Sequence, residues 1–121
     1  MAEAHSLVVT AADGFPLAAT LWLPETATPP TRVVVVNAGA GIPARYYDRF
    51  AAWLADRGLP TLTYDYRGIG RSRPARLRGF EATVEMWGSK DCAAMLDAMT
   101  VRFPAARLAV TTGRALTTPL S

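Results

Sequence analysis

The serines, the single histidine and two glycine-rich runs are the parts of this 121-residue chain whose residue types could do chemistry. Acyl transfer by serine needs a nucleophile on a G-x-S-x-G turn and an imidazole that takes its proton. After the apolar run at 107–110 the chain reads Thr-Thr-Gly-Arg-Ala-Leu-Thr, which puts Ala115 at the serine position and Thr117 at the second glycine. The histidine, His5, precedes the first predicted strand. We therefore assign no catalytic residue.

The first glycine-rich run, residues 65–72, reads Asp-Tyr-Arg-Gly-Ile-Gly-Arg-Ser and follows a predicted strand. Gly68 and Gly70 allow the chain to turn sharply at the carboxyl end of that strand. Ser72 belongs to the sequence nearest to a G-x-S-x-G motif elsewhere in the chain, but Pro74 stands at its last position. We interpret the run as a loop and not as a nucleophile turn.

The second glycine-rich run, residues 37–41, reads Asn-Ala-Gly-Ala-Gly and follows the apolar residues 33–36. Backbone N–H groups at the end of a strand can stabilise a developing negative charge without reorganising. A second interpretation is that Gly39 only lets the strand turn into its helix. A third is a dinucleotide-binding loop of the G-x-G-x-x-G type, with Ala44 at the sixth position and Asp65 as the ribose-binding acid.

Hydrophobic periodicity predicts five strands and two helices along the chain. The strands are predicted at residues 6–10, 17–23, 32–36, 59–66 and 107–111. Asp13-Gly14 between the first two is a turn signal that indicates a β-hairpin. The strand at 32–36 is apolar on both faces, which is typical of a strand buried inside a parallel sheet. Strands that alternate with helices indicate an α/β fold with right-handed crossovers.

The first helix is predicted between Pro43, suited to a first turn, and Gly58, suited to the left-handed position after a helix. Its apolar face comprises Tyr46, Phe50, Trp53 and Leu54. The second helix is predicted at 82–102, with a buried stripe of Cys92, Met95, Leu96 and Met99. We interpret Asp91 on this helix as an exposed charge and Asp65 as a hydrogen-bonding acid of the loop. Phe50, Trp53, Met95 and Met99 are expected to pack on a sheet centre formed by residues 33–36, Leu62 and Tyr64.

The two runs resemble known loops of the α/β-hydrolases. Residues 33–41 are similar to the third strand and its H-G-x-x-G oxyanion loop, with Asn37 in place of the histidine and Ala38 in place of the first glycine. Residues 65–72 resemble the D-x-R-G-x-G-x-S loop after the fourth strand. Residues 32–80 are similar to bacterial hydrolases grouped with the serine aminopeptidases, and the resemblance extends over about 8–110.

This resemblance implies a partial α/β-hydrolase fold, with a mostly parallel sheet of about five strands, an N-terminal hairpin and two flanking helices. It also implies that Ala38 and Gly39 are candidates for the oxyanion hole. The motif loop it implies consists of Asp65, Arg67, Gly68, Gly70 and Ser72. Residues 1–110 are expected to be the N-terminal half of a hydrolase domain.

Residues 111–121 depart from that pattern, because they contain four threonines and a proline where a helical apolar stripe should follow. We expect a shift of reading frame or a truncation near residue 111. The activity implied by the resemblance is serine hydrolysis of ester, amide or peptide bonds, in a chain that is catalytically incomplete. Two alternatives stay open: a non-catalytic interaction module and a nucleotide-binding βαβ unit.

The composition of the chain excludes several classes of protein. The chain is 50% hydrophobic and 19% charged, which is typical of a folded domain. A single cysteine excludes an intrachain disulfide and a multi-cysteine metal site, so no metal and no cofactor are expected. The net charge of +3 includes five arginines between Arg67 and Arg78, interpreted as a solvated loop and not as a nucleic-acid site.

The expected partners and location follow from the same features. The N-terminus has no signal sequence and the chain has no apolar run of membrane-spanning length, so we expect a cytoplasmic protein without membrane contact. In the intact family the partner would be a small-molecule or peptide substrate. Because the strand at 107–111 would lack a neighbour on one side, we expect self-association through its exposed edge.

Overall fold

The computed structural model describes residues 2–25, 29–37, 43–67 and 87–112, without the side chains of residues 87–89 and 112. One five-stranded sheet with a helix on each face organises these residues. The elements in chain order are β1 (Glu3–Thr10), β2 (Pro16–Leu23), β3 (Arg32–Asn37), a 3₁₀ turn (Ala44–Tyr47), α1 (Asp48–Asp56), β4 (Thr61–Tyr64), a π-helix (Trp87–Cys92), α2 (Ala93–Arg102) and β5 (Arg107–Thr112). The α/β fold expected from the sequence is confirmed.

The sheet has the order β1-β2-β4-β3-β5. β3 runs parallel to β4 and β5, whereas β1 runs antiparallel to β2 and β2 antiparallel to β4. The expectation of a mostly parallel sheet is roughly right: of the five described strands β2 runs against the other four, because the tight hairpin reverses the chain before β2 joins β4. Val35 lies at the centre, opposite Leu62 on one side and Val110 on the other.

The hairpin turn forms where Asp13-Gly14 indicated it. Gly14 adopts a φ of 89°, a left-handed conformation that glycine accepts without a steric penalty. Its N–H donates to the carbonyl of Ala11 at 2.8 Å. The Asp13 carboxylate accepts the N–H of Phe15 at 3.4 Å, as turn aspartates commonly do. The side chain of Asp13 also makes longer-range contacts, described below.

Both faces of β3 are buried, as its apolar run predicted. On the face covered by α2 the core comprises Leu17, Leu21, Val33, Val35, Leu62, Tyr64, Met95 and Met99. On the face covered by α1 it comprises Val34, Val36 and Leu54, with Phe50 packed against them. The core positions predicted for Met95, Met99 and Phe50 are confirmed.

The apolar face predicted for the first helix is partly wrong. Trp53 is 48% exposed, and it lies outside the core with Phe50 stacked 6.4 Å away and the Arg57 guanidinium 4.0 Å from its ring centroid. Tyr46 is also exposed. The buried side of α1 is instead formed by Ala51, Leu54 and Ala55, because small residues let the helix lie close to the sheet.

The second helix begins, in the described part of the chain, with the π-helix at Trp87–Cys92 and continues as α2. A π-helix has more residues per turn than an α-helix and is frequent at functional sites. Met95 and Met99 on α2 are buried against the sheet. Residues 82–86 of the predicted helix lie outside the described residues.

Candidate functional site

Three parallel strands end side by side at one edge of the sheet, which we call the carboxyl edge. Val36 near the end of β3 lies opposite Thr63 of β4 and Thr111 of β5, and Asn37 lies opposite Thr112. In open α/β sheets this is the edge at which ligands bind, because loops leave the strands there. The site is therefore built from the side chains that follow these strands.

The side chain of Asn37 is held by two neighbours at this edge. The Tyr64 hydroxyl donates to Asn37 Oδ1 at 2.5 Å, and Asn37 Nδ2 donates to Cys92 Sγ at 3.4 Å. Tyr66 lies edge-on to Tyr64, with ring centroids 5.0 Å apart. The end of β3 is thereby joined to the end of β4 and to the π-helix before the chain enters Ala38 and Gly39.

The two tyrosines of this cluster stay neutral. Burial raises the pKa of Tyr64 far above its usual range, and the adjacent Tyr66 and Cys92 raise it further. Burial also raises the pKa of Tyr66, against the lowering effect of its hydrogen bond with Tyr64. A phenol with a raised pKa is a hydrogen-bond donor and a poor base. The protonated Tyr64 hydroxyl therefore orients Asn37 as a hydrogen-bond donor.

Asp65, directly after β4, anchors the start of the first helix. Its Oδ1 accepts the backbone N–H of Ala44 at 2.7 Å, and the residue is 3% exposed. Ala44 opens the 3₁₀ turn that leads into α1. A carboxylate at this point is favourable because the first N–H groups of a helix have no partner within the helix. Asp65 thus fixes the far end of the connection that begins after Asn37.

Arg67 is a buried cation held between two carboxylates. Its Nε donates to Asp91 Oδ1 at 2.8 Å, and its backbone N–H donates to Asp91 Oδ2 at 2.9 Å. Its Nη1 donates to Asp13 Oδ2 at 2.6 Å, and the guanidinium lies 4.8 Å from the Phe15 ring centroid. The residue joins three separate segments: the hairpin turn, the end of β4 and the π-helix.

Arg67, Asp13 and Asp91 form a charged triad, in which each group stabilises the ionised form of its partner. The hydrogen bonds with Arg67 hold the pKa of Asp13 at about 2, below its usual 3.8. The bonds to Asp13 and Asp91 raise the pKa of Arg67 above its ordinary value. The Arg67 Nη1 and Asp13 Oδ2 atoms lie 2.6 Å apart, and the Arg67 side chain is 2% exposed. The guanidinium therefore has little contact with water. The triad is a permanent connection at neutral pH, not a group that titrates there.

The structure separates the predicted site residues into two groups. Asp65 and Arg67 are described, and they point to different partners: Asp65 to Ala44, Arg67 to Asp13 and Asp91. The others, Ala38, Gly39, Gly68, Gly70 and Ser72, lie outside the described residues. The dinucleotide interpretation required a free carboxylate at the end of β4, whereas Asp65 is buried and bonded to a backbone N–H.

Two interpretations of charge were wrong. Asp91 is fully buried and not an exposed helix charge, because it supplies the counter-charge to Arg67. Arg67 is correspondingly not part of a solvated arginine cluster. The spacing contained a signal for Asp91: it lies four residues before Met95 and eight before Met99, on the same buried side of the helix.

His5 lies far from the carboxyl edge. It sits in β1, opposite Leu21, and its imidazole is half exposed beside Glu3 at 3.5 Å. Three strands, β2, β4 and β3, separate β1 from β5. At ~4.8 Å per strand the imidazole is roughly 19 Å across the sheet from β5. His5 and β5 therefore lie at opposite edges of the described sheet.

The remaining features add little to the site. Among the described residues no three His, Cys, Asp or Glu side chains are grouped as metal ligands. No helix in the described ranges has both the length and the apolar character needed to cross a membrane. The Thr111 hydroxyl is buried, and it has no hydrogen-bond partner among the described residues.

Comparison with known proteins assigns the chain to a family. Residues 28–113 match the family described as serine aminopeptidase, S33, and the chain belongs to it. The family predicted from the two glycine-rich loops is thus confirmed.

Solved structures share the fold. A hypothetical protein from Pseudomonas aeruginosa superposes with a TM-score of 0.74 at 22% identity, over 90% of this chain and 34% of that one. The Pyrococcus furiosus esterase Pf2001 gives 0.69 at 18%, over 91% and 41%. Est1E from Butyrivibrio proteoclasticus, solved with ferulic acid bound, gives 0.73 at 18%, over 88% and 41%. The chain spans a third to two fifths of these structures.

Proposed function

We propose that the chain provides the oxyanion-loop half of a serine-hydrolase site for ester, amide or peptide bonds, and that alone it carries out no turnover. The observation behind this proposal is the carboxyl edge, where β3, β4 and β5 end in register. In α/β-hydrolases one oxyanion N–H comes from the loop after the third strand and the other from the residue after the nucleophile. Ala38 and Gly39 occupy the first of these positions.

The described contacts hold Asn37 and Ala44, which lie on either side of the segment 38–42. At one end Asn37 is bonded to Tyr64 and Cys92, and at the other Ala44 is bonded to Asp65. Both ends are attached to buried parts of the sheet. An oxyanion hole stabilises charge only when its donors are fixed before the reaction. Fixed ends on both sides of the loop favour that use over a turn that merely connects a strand to a helix.

Ester substrates are favoured by the relatives, since two of the similar structures are named as esterases or bind ferulic acid. Two features of the printed sequence support the proposal that this chain alone carries out no turnover. The sequence contains no G-x-S-x-G motif. Its one histidine, His5, lies in β1, at the opposite edge of the described sheet from β5. We propose that residues 111–121 replace the segment that would carry the serine.

The experiment is active-site labelling of the purified chain with a fluorophosphonate, together with turnover of p-nitrophenyl acetate. No labelling above a heat-denatured control and no turnover are expected. Stoichiometric labelling that disappears in Ser72→Ala would contradict the proposal of an incomplete site. Ser89→Ala is the matched control, since Ser89 belongs to the π-helix.

A second experiment addresses the tail. The DNA that follows the codon for Thr112 is read in its other two frames, where a G-x-S-x-G and a later histidine are expected. If neither frame encodes them, a non-catalytic interaction module becomes the better proposal. A rise of the melting temperature with NAD or ATP would instead support the nucleotide-binding alternative.

Self-association through β5 is part of the same proposal. Among the described strands β5 pairs only with β3, and we propose that its outer edge pairs with another chain. Hydrogen exchange of the β5 amides should then slow as the protein concentration rises. Exchange that is independent of concentration would argue against an interface at this edge.

A further inference from the structure

The outer strand of the hairpin, β1, is an edge strand among the described residues. β1 pairs with β2 and with no other described strand. Six of its eight residues are exposed, and Val8 is 66% exposed. α2 covers Val9 and part of Leu7 on one face of β1, whereas Ala4, Ser6 and Val8 on the other face are exposed. Exposed edge strands of this kind are templates for pairing with another chain.

Two grooves flank this strand, one on each face of the sheet. The groove on the α2 side, about 570 Å³, is lined by Val9, Lys90, Ala94, Asp97 and Val101 among others. The groove on the α1 side, about 550 Å³, includes Ala4, Thr20, Trp22, Arg45 and Asp48. A strand added beside β1 would therefore find space on both faces for its alternating side chains.

We propose that β1 is an interface for a second copy of this chain, paired antiparallel about a two-fold axis through Ser6. In an antiparallel pair, directly opposed residues point to the same face, so a symmetric pair of β1 strands must be centred on a residue. Centring on Ser6 places Ala4 of one copy opposite Val8 of the other. The exposed Val8 is thereby covered by a small apolar side chain.

Charge favours this register. It places Glu3 of the second copy opposite Val9, which lines the α2-side groove together with Lys90. Glu3 is 65% exposed in its own copy and can turn towards that ammonium group. Residues 6–9 in the middle of the strand carry no charge, so no like charges oppose each other at the centre. In a symmetric pair each copy supplies Glu3 to the other copy's Lys90, so this contact is made twice.

The first test is site-specific crosslinking. In the proposed register Ser6 faces Ser6 of the second copy, and opposed Cα atoms in an antiparallel pair lie ~4.5–5.5 Å apart, within the range of a disulfide. The Ser6→Cys variant should form a covalent dimer under mild oxidation. Ala4→Cys is the matched control, since the same face would hold the two cysteines roughly 14 Å apart along the strand. Both variants retain Cys92, so its reactivity is common to both.

The second test is a charge exchange, measured by sedimentation equilibrium. Glu3→Lys and Lys90→Glu should each raise the dissociation constant at least tenfold. The double variant Glu3→Lys/Lys90→Glu should restore it. Far-UV circular dichroism checks that each variant is folded.

Three results would overturn the proposal: a monomeric wild-type chain at all concentrations, equal crosslinking of the two cysteine variants, or single charge variants that associate like the wild type. Association through β5, proposed above, would survive each β1 substitution, so only association that the β1 variants change is assigned to β1. Neither test uses hydrolytic activity. A failure here therefore leaves the proposed oxyanion-loop half-site untouched.

Discussion

The carboxylate of Asp91 receives both the backbone N–H and the side chain of Arg67, at 2.9 and 2.8 Å. Both residues are buried, although 24 positions of sequence separate them. These two hydrogen bonds fix the point at which the chain leaves β4, immediately before Gly68. The π-helix is thereby attached to the sheet independently of the apolar contacts of α2.

Removing the negative charge of Asp91 should destabilise the fold strongly. Asp91→Asn leaves the buried guanidinium of Arg67 with one carboxylate, and breaking such a buried pair typically costs about 3–5 kcal/mol. The free energy of unfolding is measured by urea denaturation. Asp97→Asn, at an exposed position of α2, is the control and should change it by less than about 0.5 kcal/mol. Equal effects of the two variants would contradict a central role for the triad.

The contribution of Asp13 should depend on acid pH. Its pKa is lowered to about 2 by Arg67, whereas an unfolded chain binds the proton near 3.8. The stabilisation is therefore complete above about pH 4 and is lost as the pH falls towards 2. The difference in unfolding free energy between wild type and Asp13→Asn should shrink over that range. A difference that stays constant from pH 5 to about pH 2 would rule out the ionised contact.

The hydroxyl of Tyr64 should matter more than that of an exposed tyrosine. Tyr64→Phe leaves the amide oxygen of Asn37 without its donor, at a cost of about 1–3 kcal/mol. Tyr46→Phe, on the exposed side of the 3₁₀ turn, serves as the control and should be nearly neutral. Thermal unfolding measures both. If Tyr64→Phe is as stable as Tyr46→Phe, the contact with Asn37 contributes nothing.

Alkaline titration should reveal the two buried tyrosines. Burial raises the pKa of Tyr64 and Tyr66, so both should stay protonated above the ordinary range of a phenol. A raised pKa in the folded state means that stability is present below the unfolded value of ~10 and declines above it. Ultraviolet absorbance should therefore show a late phase that coincides with unfolding. In Tyr64→Phe this late phase should lose amplitude. A loss of absorbance change before the late phase would contradict its assignment to the buried tyrosines.

The buried hydroxyl of Thr111 should lower the free energy of unfolding. It is 5% exposed and has no hydrogen-bond partner among the described residues. Replacement of an unsatisfied buried hydroxyl by a methyl group removes a desolvation penalty, so Thr111→Val should be neutral or stabilising by up to about 1 kcal/mol. Val36→Thr, directly opposite on β3, introduces such a hydroxyl and should destabilise. Destabilisation by Thr111→Val would show that its hydroxyl does have a partner.

The sheet could be predicted from the sequence because its signals are local. The apolar run of β3 and the Asp13-Gly14 turn each specify an element without reference to distant residues. The triad of Arg67 could not be predicted in the same way, since its two carboxylates lie 54 residues before and 24 after it. Only the strand order brings these segments together.

The error at Trp53 has a related cause. Helical spacing places Phe50, Trp53 and Leu54 on one side, but periodicity does not reveal how wide the buried stripe is. Ala51 and Ala55 let α1 lie so close to the sheet that an indole fits only at the margin. Leu54→Ala should therefore cost about 2–5 kcal/mol, with a much smaller effect for Trp53→Ala. The reverse order, measured by urea denaturation, would restore the original interpretation.

The insertion of β4 between β2 and β3 has a consequence for synthesis on the ribosome. Both neighbours of β4 are complete when Asn37 has been made, but the strand that joins them ends only at Tyr64. At ~5–20 residues per second this leaves roughly one to five seconds in which the hairpin and β3 both expose unpaired apolar edges. The nascent chain should accordingly bind chaperones most strongly within that window, and release should follow the emergence of residue 64.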